Sequence, residues 1–547
     1  MDKYARAPLD ILAESLQHMG VTTGGCMATQ RTGRHADGRR ADTRRLDRAV
    51  SVPIGVPTSV DAQNFAAARG TPPPAWGWRG PGAGRAGHVF PGIEYQGTTV
   101  QVCGMFPFVA GSGAPPVGVP IGQHMLWGEV VCLDPLDWLN YGLVTNPGVF
   151  VLGQPGVGKS TISKRMITGM VAFGTNALIL GDTKPDYTPL VRHLGGQVIE
   201  VGRGMDRINP LDSGPLGRAL AQMSGPDAAR LRLEIRGRRL SLLLALCALV
   251  RGNRLSNGEE VVLGRAIDLL AERVDGDPTV PDVLRVIDEG PDELRAAARA
   301  TDEEYARRVD ELVFTLDLLC SGSLAGVFDG PTSNTLDLNA PAVSVDISRV
   351  AAAGDTLVAA AMLCCWSYGF GMVDAGAVLA DLGLAPRRQY LAVMDELWRA
   401  LRGASGLVEH ADALTRLNRQ KGMASLMITH SLADLDALPT EEDRAKARGF
   451  MERCAITVLA GLPLKELRRV SEVTPLTEPE MDLVKGWAAP ESWLPGTSHP
   501  GRGKYLIKTG ERIGIPVELS LVGEEHTLYD TDMAVRQAPR QTTRVVP

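Results

Sequence analysis

From about residue 148 the chain alternates two textures: short apolar runs closed by glycine or acids, and longer stretches with apolar residues every three or four positions. The runs at 148–152, 177–180 and 197–201 are separated by helical periodicity over 159–172 and by a Leu194-Gly195-Gly196 turn. Strand, helix, strand, turn, strand predicts a parallel sheet with crossover helices, because parallel neighbours need a long return connection. Further strands are predicted at 342–346, 390–394, 424–429 and 455–459, with helices over 356–373 and 431–438. Residues 504–522 read as a hairpin, two apolar runs about a glycine turn.

Between 214 and 325 the strand-like runs stop. Helical periodicity over 228–250, 259–274, 281–288 and 292–320 predicts an all-α insertion there. On the other side, short runs at 98–103, 105–110 and 130–133 alternate with Gly/Pro turns, predicting a small β-rich N-terminal domain at 91–145. Residues 70–84 are a Pro/Gly-rich linker carrying Trp76 and Trp78. The first fifty residues hold Arg31, Arg34, Arg39, Arg40, Arg44, Arg45 and Arg48 among Asp37, Asp42 and Asp47. That mixture fits a solvated arm better than a phosphate-binding one. The expected organisation is a partly disordered arm and linker at 1–90, the β element at 91–145 and a core at 146–213 and 326–534. The insertion at 214–325 interrupts that core, and a disordered tail follows at 535–547.

Composition narrows the class. A chain of 547 residues exceeds one ordinary domain, and 44% apolar content supports a normal core. A net charge of -6 argues against a uniformly basic, nucleic-acid-wrapping surface. The eight cysteines, at 26, 103, 132, 247, 320, 364, 365 and 454, show no C-x-x-C spacing and fall mostly in apolar runs, as reduced, buried thiols do. The start lacks a secretion-signal layout, and the apolar stretch 240–250, flanked by Arg238, Arg239 and Arg251, is too short to cross a bilayer. A cytoplasmic protein with no transmembrane segment of its own is expected, peripheral to the inner face of the cell membrane if it works there.

The first candidate chemistry sits where strand 148–152 meets helix 159–172. Gly153, Gln154, Pro155, Gly156, Val157, Gly158, Lys159, Ser160 and Thr161 complete the pattern G-x-x-x-x-G-K-[ST]. Its glycines let successive backbone N–H groups turn toward a phosphate, Lys159 reaches the β/γ oxygens, and Ser160 is a Mg²⁺ ligand. ATP and Mg²⁺ are therefore the expected cofactors, and the fold class is α/β, a P-loop NTPase core with a mainly parallel sheet. The run 390–394 ends in Asp395 and Glu396, assigned to Mg²⁺ and to the attacking water respectively. Thr429 and His430 end another strand, where His430 is a candidate γ-phosphate sensor or a cap of the next helix. Arg416 and Arg419, with Lys421, are candidates for neutralising transition-state charge from a neighbouring subunit, or form an exposed basic helix end. Asp182 and Lys184 either bear on the site or form a structural turn pair.

Taken in order, these motifs resemble the ATPases of conjugation and type IV secretion systems, TraC-like members of the HerA/FtsK P-loop superfamily. The matching segments are Gly-Gln-Pro-Gly-Val-Gly-Lys-Ser, Gly-Asp-Thr-Lys-Pro-Asp-Tyr followed by Leu-Gly-Gly, Ile-Asn-Pro-Leu-Asp and Met-Asp-Glu-Leu-Trp. Arg-Gln-Lys-Gly before Met-Ile-Thr-His-Ser-Leu-Ala-Asp-Leu adds to them, and the likeness spans roughly 120–530. The resemblance implies a homo-hexameric motor that energises transfer of DNA or protein through membrane-embedded secretion-channel proteins. It also implies catalytic roles for Lys159 and Glu396, trans fingers in Arg416 or Arg419, and a structural Trp398. Two other readings compete: a DNA-pumping coupling protein of the same superfamily, and a nucleotide-dependent assembly scaffold with little hydrolysis. One departure is that His430 stands where the family commonly has glutamine.

Overall fold

The computed structural model describes residues 113–322, 325–351, 354–401, 421–436, 438, 440–488 and 499–530. Its strands are β1 (Pro120–His124), β2 (Val130–Cys132), β3 (Gly148–Leu152), β4 (Asn176–Asp182), β5 (Gln197–Glu200) and β6 (Ala342–Asp346). β7 (Tyr390–Met394), β8 (Met423–Thr429), β9 (Ile456–Leu459), β10 (Lys504–Lys508) and β11 (Ile515–Glu518) follow. All eleven join one sheet in the order β2-β1-β11-β10-β9-β3-β8-β7-β4-β6-β5.

From β9 to β5 every pairing is parallel, and from β9 outward through β10, β11, β1 and β2 every pairing is antiparallel. The predicted parallel sheet and terminal hairpin are both present. The central strands β3, β4, β7 and β8 are buried along their whole length, which is why they read as unbroken apolar runs. Alternate side chains still divide between two cores. Phe150 and Leu152 face one that includes the insertion, whereas Val149 and Val151 face the other, with Ile162, Met166 and Met170 of helix Lys159–Ala172.

Between β5 and β6 the described residues form helices alone. The periodicity over 292–320 is two helices, Asp292–Ala298 and Asp302–Ser321. Arg299 closes the first in the left-handed region, at φ 50°, and Thr301 opens the second through a capping box with Glu304. A further helix, Gly214–Leu220, precedes the long Gly225–Arg251 helix.

Helix Asp355–Asp381 extends well beyond the predicted 356–373. Among the described residues it alone is long and apolar enough to cross a membrane, with a mean hydropathy of 1.6, yet 89% of that apolar window is buried inside the fold. It is an interior helix. Trp366 Nε1 donates to the Leu180 carbonyl (3.0 Å), and a Cβ on Gly369 would lie 2.3 Å from the Leu180 side chain. Small residues let this helix lie directly on β4.

Of the expected β element at 91–145, the described part supplies β1 and β2, which extend the main sheet through β11. The runs at 98–103 and 105–110, the 1–90 arm and linker and the 535–547 tail lie outside the described residues. The expected 431–438 helix is shorter, Ala433–Asp436. Cys132, Cys247, Cys364, Cys365 and Cys454 are buried, and burial pushes the thiols of Cys247, Cys365 and Cys454 up to about 12. Inert packing thiols fit the sequence reading.

Candidate functional site

β3 lies between β8 and β9, and the loop that leaves it is fixed from the β9 side. Ala460 donates its N–H to the Leu152 carbonyl (2.8 Å), and Gln154 donates to the Gly461 carbonyl (3.0 Å). A Cβ on Gly153 would meet that of Ala460 at 2.7 Å, so only glycine fits. Gly158, at φ 102°, caps helix Lys159–Ala172, and its carbonyl accepts from the Tyr505 hydroxyl of β10 (2.7 Å). The first turn of that helix carries no acidic residue, so its N-terminal N–H groups keep their positive end for an anion.

The neighbouring strand ends supply acids. β8 separates β3 from β7, and all three run parallel, so their C-terminal ends share one edge. β7 delivers Asp395 and Glu396. Glu396 has φ 53°, an unusual backbone for a residue with a side chain, and this turn directs its carboxylate back over the edge. Asp395 accepts from the Tyr187 hydroxyl through Oδ2 (2.8 Å) and from the Glu396 N–H through Oδ1 (2.8 Å). Glu396 Oε1 accepts from Lys184 Nζ (2.9 Å) and His430 Nε2 (3.0 Å), and its Oε2 from Trp398 Nε1 (2.6 Å).

Lys159 links the two halves. Its Nζ donates to the carbonyls of Gly153 (2.7 Å) and Gln154 (3.0 Å) and to His430 Nδ1 (2.8 Å). An ammonium can only donate, so Nδ1 must be the unprotonated nitrogen, and Nε2 carries the proton given to Glu396. Phosphate loop, imidazole and water-side acid thus form one hydrogen-bonded line.

Burial and charge set the protonation of these groups. Burial lowers the Lys159 ammonium to about 8, although Asp395 and Glu396 pull the other way. Burial alone would raise Glu396, but its hydrogen bonds from His430 and Lys184 hold it well below the usual carboxylate range. Asp395 is raised, first by burial and then by the Glu396 charge, with the Tyr187 hydrogen bond opposing. Asp182 is raised well above its ordinary value by burial, and Asp186, Asp346 and Asp395 add to that.

These groups surround one cavity of about 240 Å³. Of the expected loop residues Pro155, Gly156, Gly158, Lys159, Ser160 and Thr161 line it; Gly153, Gln154 and Val157 shape the loop from behind. Asp395, Glu396 and His430 also line it, as do Asp182, Lys184 and Asp186. The Lys184–Glu396 ion pair puts Lys184 at the site rather than in a remote turn. Thr429 ends β8 in register with Leu152 but is buried, its hydroxyl without a partner, and is not part of the lining. Arg416 and Arg419 lie outside the described residues. Two residues escaped sequence reasoning. Tyr187, which holds Asp395, ends the matching segment Gly-Asp-Thr-Lys-Pro-Asp-Tyr but had no role assigned there, whereas Arg502, on the cavity wall, stands between two glycines just before a strand.

Among the described residues no three His, Cys, Asp or Glu side chains form a metal cage. Mg²⁺ does not require one, since it keeps waters and takes one or two carboxylates beside substrate phosphates. The hard oxygens of Ser160 and Asp395, both lining the cavity, beside acids that burial and then mutual charge raise, fit that ion.

No protein-family model and no curated protein matches this sequence. Solved structures do. VirB4 of Thermoanaerobacter pseudethanolicus superposes with a TM-score of 0.57 at 18% identity, covering 76% of this chain and 99% of that one. The plasmid coupling protein TrwB in complex with ADP and Mg²⁺ gives a TM-score of 0.43 at 12% identity, covering 80% and 97%. The VirB4 likeness shows a shared fold, a P-loop ATPase architecture, which is the one the motifs predicted.

Proposed function

We propose that this chain is an Mg²⁺-dependent ATPase, the motor subunit of a conjugative or type IV secretion-like transfer apparatus. The observation that carries the reading is the single cavity that gathers Lys159, Ser160, Asp395, Glu396 and His430 from the ends of three adjacent parallel strands. The loop N–H groups and Lys159 bind the phosphates, and Glu396 polarises the attacking water. Mg²⁺, held by Ser160 and Asp395, would neutralise phosphate charge.

Lys159 has three protons and three acceptors within the fold, so an arriving phosphate must displace at least one of them. Exchanging the His430 contact leaves the imidazole free to turn together with Glu396. Occupancy of the loop is thereby passed to the acid through one ring. His430 serves as the sensor in place of the family's glutamine.

The finer parts of the reading rest on the sequence resemblance. They are a homo-hexamer with Arg416 or Arg419 acting in trans, docking on membrane-embedded secretion-channel proteins from the cytoplasmic face, and DNA as a candidate cargo. The deciding measurement is Mg²⁺-dependent ATP turnover by the full chain. Lys159→Ala and Glu396→Gln should each reduce it by about a hundredfold or more, with nucleotide binding retained in Glu396→Gln. Turnover unchanged in both variants would remove the motor reading. Strong stimulation by DNA would favour the coupling-protein class.

A further inference from the structure

The loop before β10 stands over the phosphate loop and is built to hold one side chain there. Its sequence is His499-Pro500-Gly501-Arg502-Gly503. His499 turns the chain, its carbonyl accepting from the Arg502 N–H (2.9 Å) and its Nδ1 from the Gly501 N–H (3.2 Å). Both glycines are required. A Cβ on Gly501 would lie 2.0 Å from the Trp487 carbonyl oxygen, and one on Gly503, at φ 79°, 2.7 Å from that of Leu519. The loop also holds the phosphate loop directly: the Gly503 N–H donates to the Val157 carbonyl (3.4 Å), and Tyr505 donates to that of Gly158 (2.7 Å).

Strand order places this loop opposite the acids. Along the sheet the sequence is β10, β9, β3, β8, β7, β4, so the phosphate loop has the Arg502 loop on one flank and the acidic tips of β7 and β4 on the other. Asp182, Asp186, Asp395 and Glu396 all line the cavity from that second flank, where Lys184 is engaged with Glu396. Arg502 lines it from the first, and its neighbour Gly503 lies against Gly158 at the start of the helix.

We infer that Arg502 is a phosphate ligand supplied in cis, gripping the α- and β-phosphates of the bound nucleotide from the side away from the acids. This rests on the nucleotide-site reading and deepens it. A guanidinium presents a fork of donors that matches phosphate oxygens. It enters the cavity from the flank opposite Glu396, beside which the terminal phosphate is attacked. Arg502 therefore sets affinity for diphosphate and triphosphate alike, a role separate from that of an arginine supplied in trans.

The test is titration of the full chain with ADP and with a non-hydrolysable ATP analogue, each with Mg²⁺, for wild type, Arg502→Ala, Arg502→Gln and Arg502→Lys. Arg502→Ala should weaken both nucleotides by about tenfold or more, and to a similar extent. Arg502→Lys, a point charge without the fork, should recover part of the loss. Melting without nucleotide monitors the loop; if Arg502→Ala melts early, the comparison of Arg502→Lys with Arg502→Gln, which keep a polar stem, decides the matter. A loss confined to the ATP analogue would move the contact to the terminal phosphate and overturn the assignment. Unchanged affinity in a wild type that binds both nucleotides would remove Arg502 alone, whereas a wild type that binds neither removes the site reading with it.

Discussion

Lys159 is the residue on which most of the site's electrostatics converge. Its ammonium is buried against loop carbonyls and an imidazole, and sits at about 8 rather than its ordinary 10.5. The unfolded chain keeps that proton up to its ordinary value, so between the two the unfolded state binds more protons and stability rises with pH. In urea titrations from pH 8 to pH 10.5, the wild type should gain on Lys159→Met by an amount on the order of 3 kcal/mol. A constant difference across that window would mean the ammonium is not desolvated. Glu396 gives a slope of the same sign in the acid range, with stability present above its ordinary value and lost as acid reprotonates it. At this scale the sequence told much: Lys159, Ser160, Asp395, Glu396 and His430 are all legible from motif and strand end. Arg502 was not, nor was the role of Tyr187, because their approach depends on which strands become neighbours. No local spacing encodes that.

Among the elements, the interior helix Asp355–Asp381 shows how an apolar stretch is tied to polar partners. Asp374 lies within it, buried, and binds both Arg238 of the insertion and Lys421 in the turn before β8 (2.5 Å for Lys421). Asp374→Ala would strand two partly buried cations and should lower unfolding stability by about 3–5 kcal/mol, read from the urea midpoint. Asp374→Asn, which keeps an acceptor, should lose less; equal losses would show that charge matters more than the hydrogen bonds. The same helix marks where periodicity misleads. Its stretch beyond 373 is rich in Ala and Gly, and such small residues signal burial only once Tyr390 is seen against Gly376 and Leu216 and Ala219 are seen in one cluster with Ala375. The break at Arg299 was concealed in the opposite way: helical periodicity runs through it, although the Thr301–Glu304 capping pattern was visible in the chain. Central strands were clear because burial on both faces leaves them wholly apolar. The antiparallel attachment of β10 to β9 was not, since pairing partners at a sheet's flank leave no mark in either strand alone.

For the whole molecule, the parallel half of the sheet carries the phosphate loop and the acids, and the antiparallel half carries Arg502 and Tyr505. On the proposed reading the cis site spans both halves, and an arginine in trans is what a neighbouring subunit would add. Specific ATP turnover should then climb with protein concentration, several-fold across the range in which the chain self-associates. Arg416→Ala and Arg419→Ala, tested singly, should flatten that rise in whichever position reaches the neighbour. Turnover per subunit that is independent of concentration, in a chain shown to remain monomeric, would rule out a shared site.

The bond from the Tyr505 hydroxyl to the Gly158 carbonyl joins the beginning of the core to its end. During synthesis the phosphate-binding turn leaves the ribosome well before the hairpin that clamps it, 347 residues further along the chain. On the reading proposed above, a nascent chain holds that turn in its nucleotide-ready shape only once the hairpin has emerged.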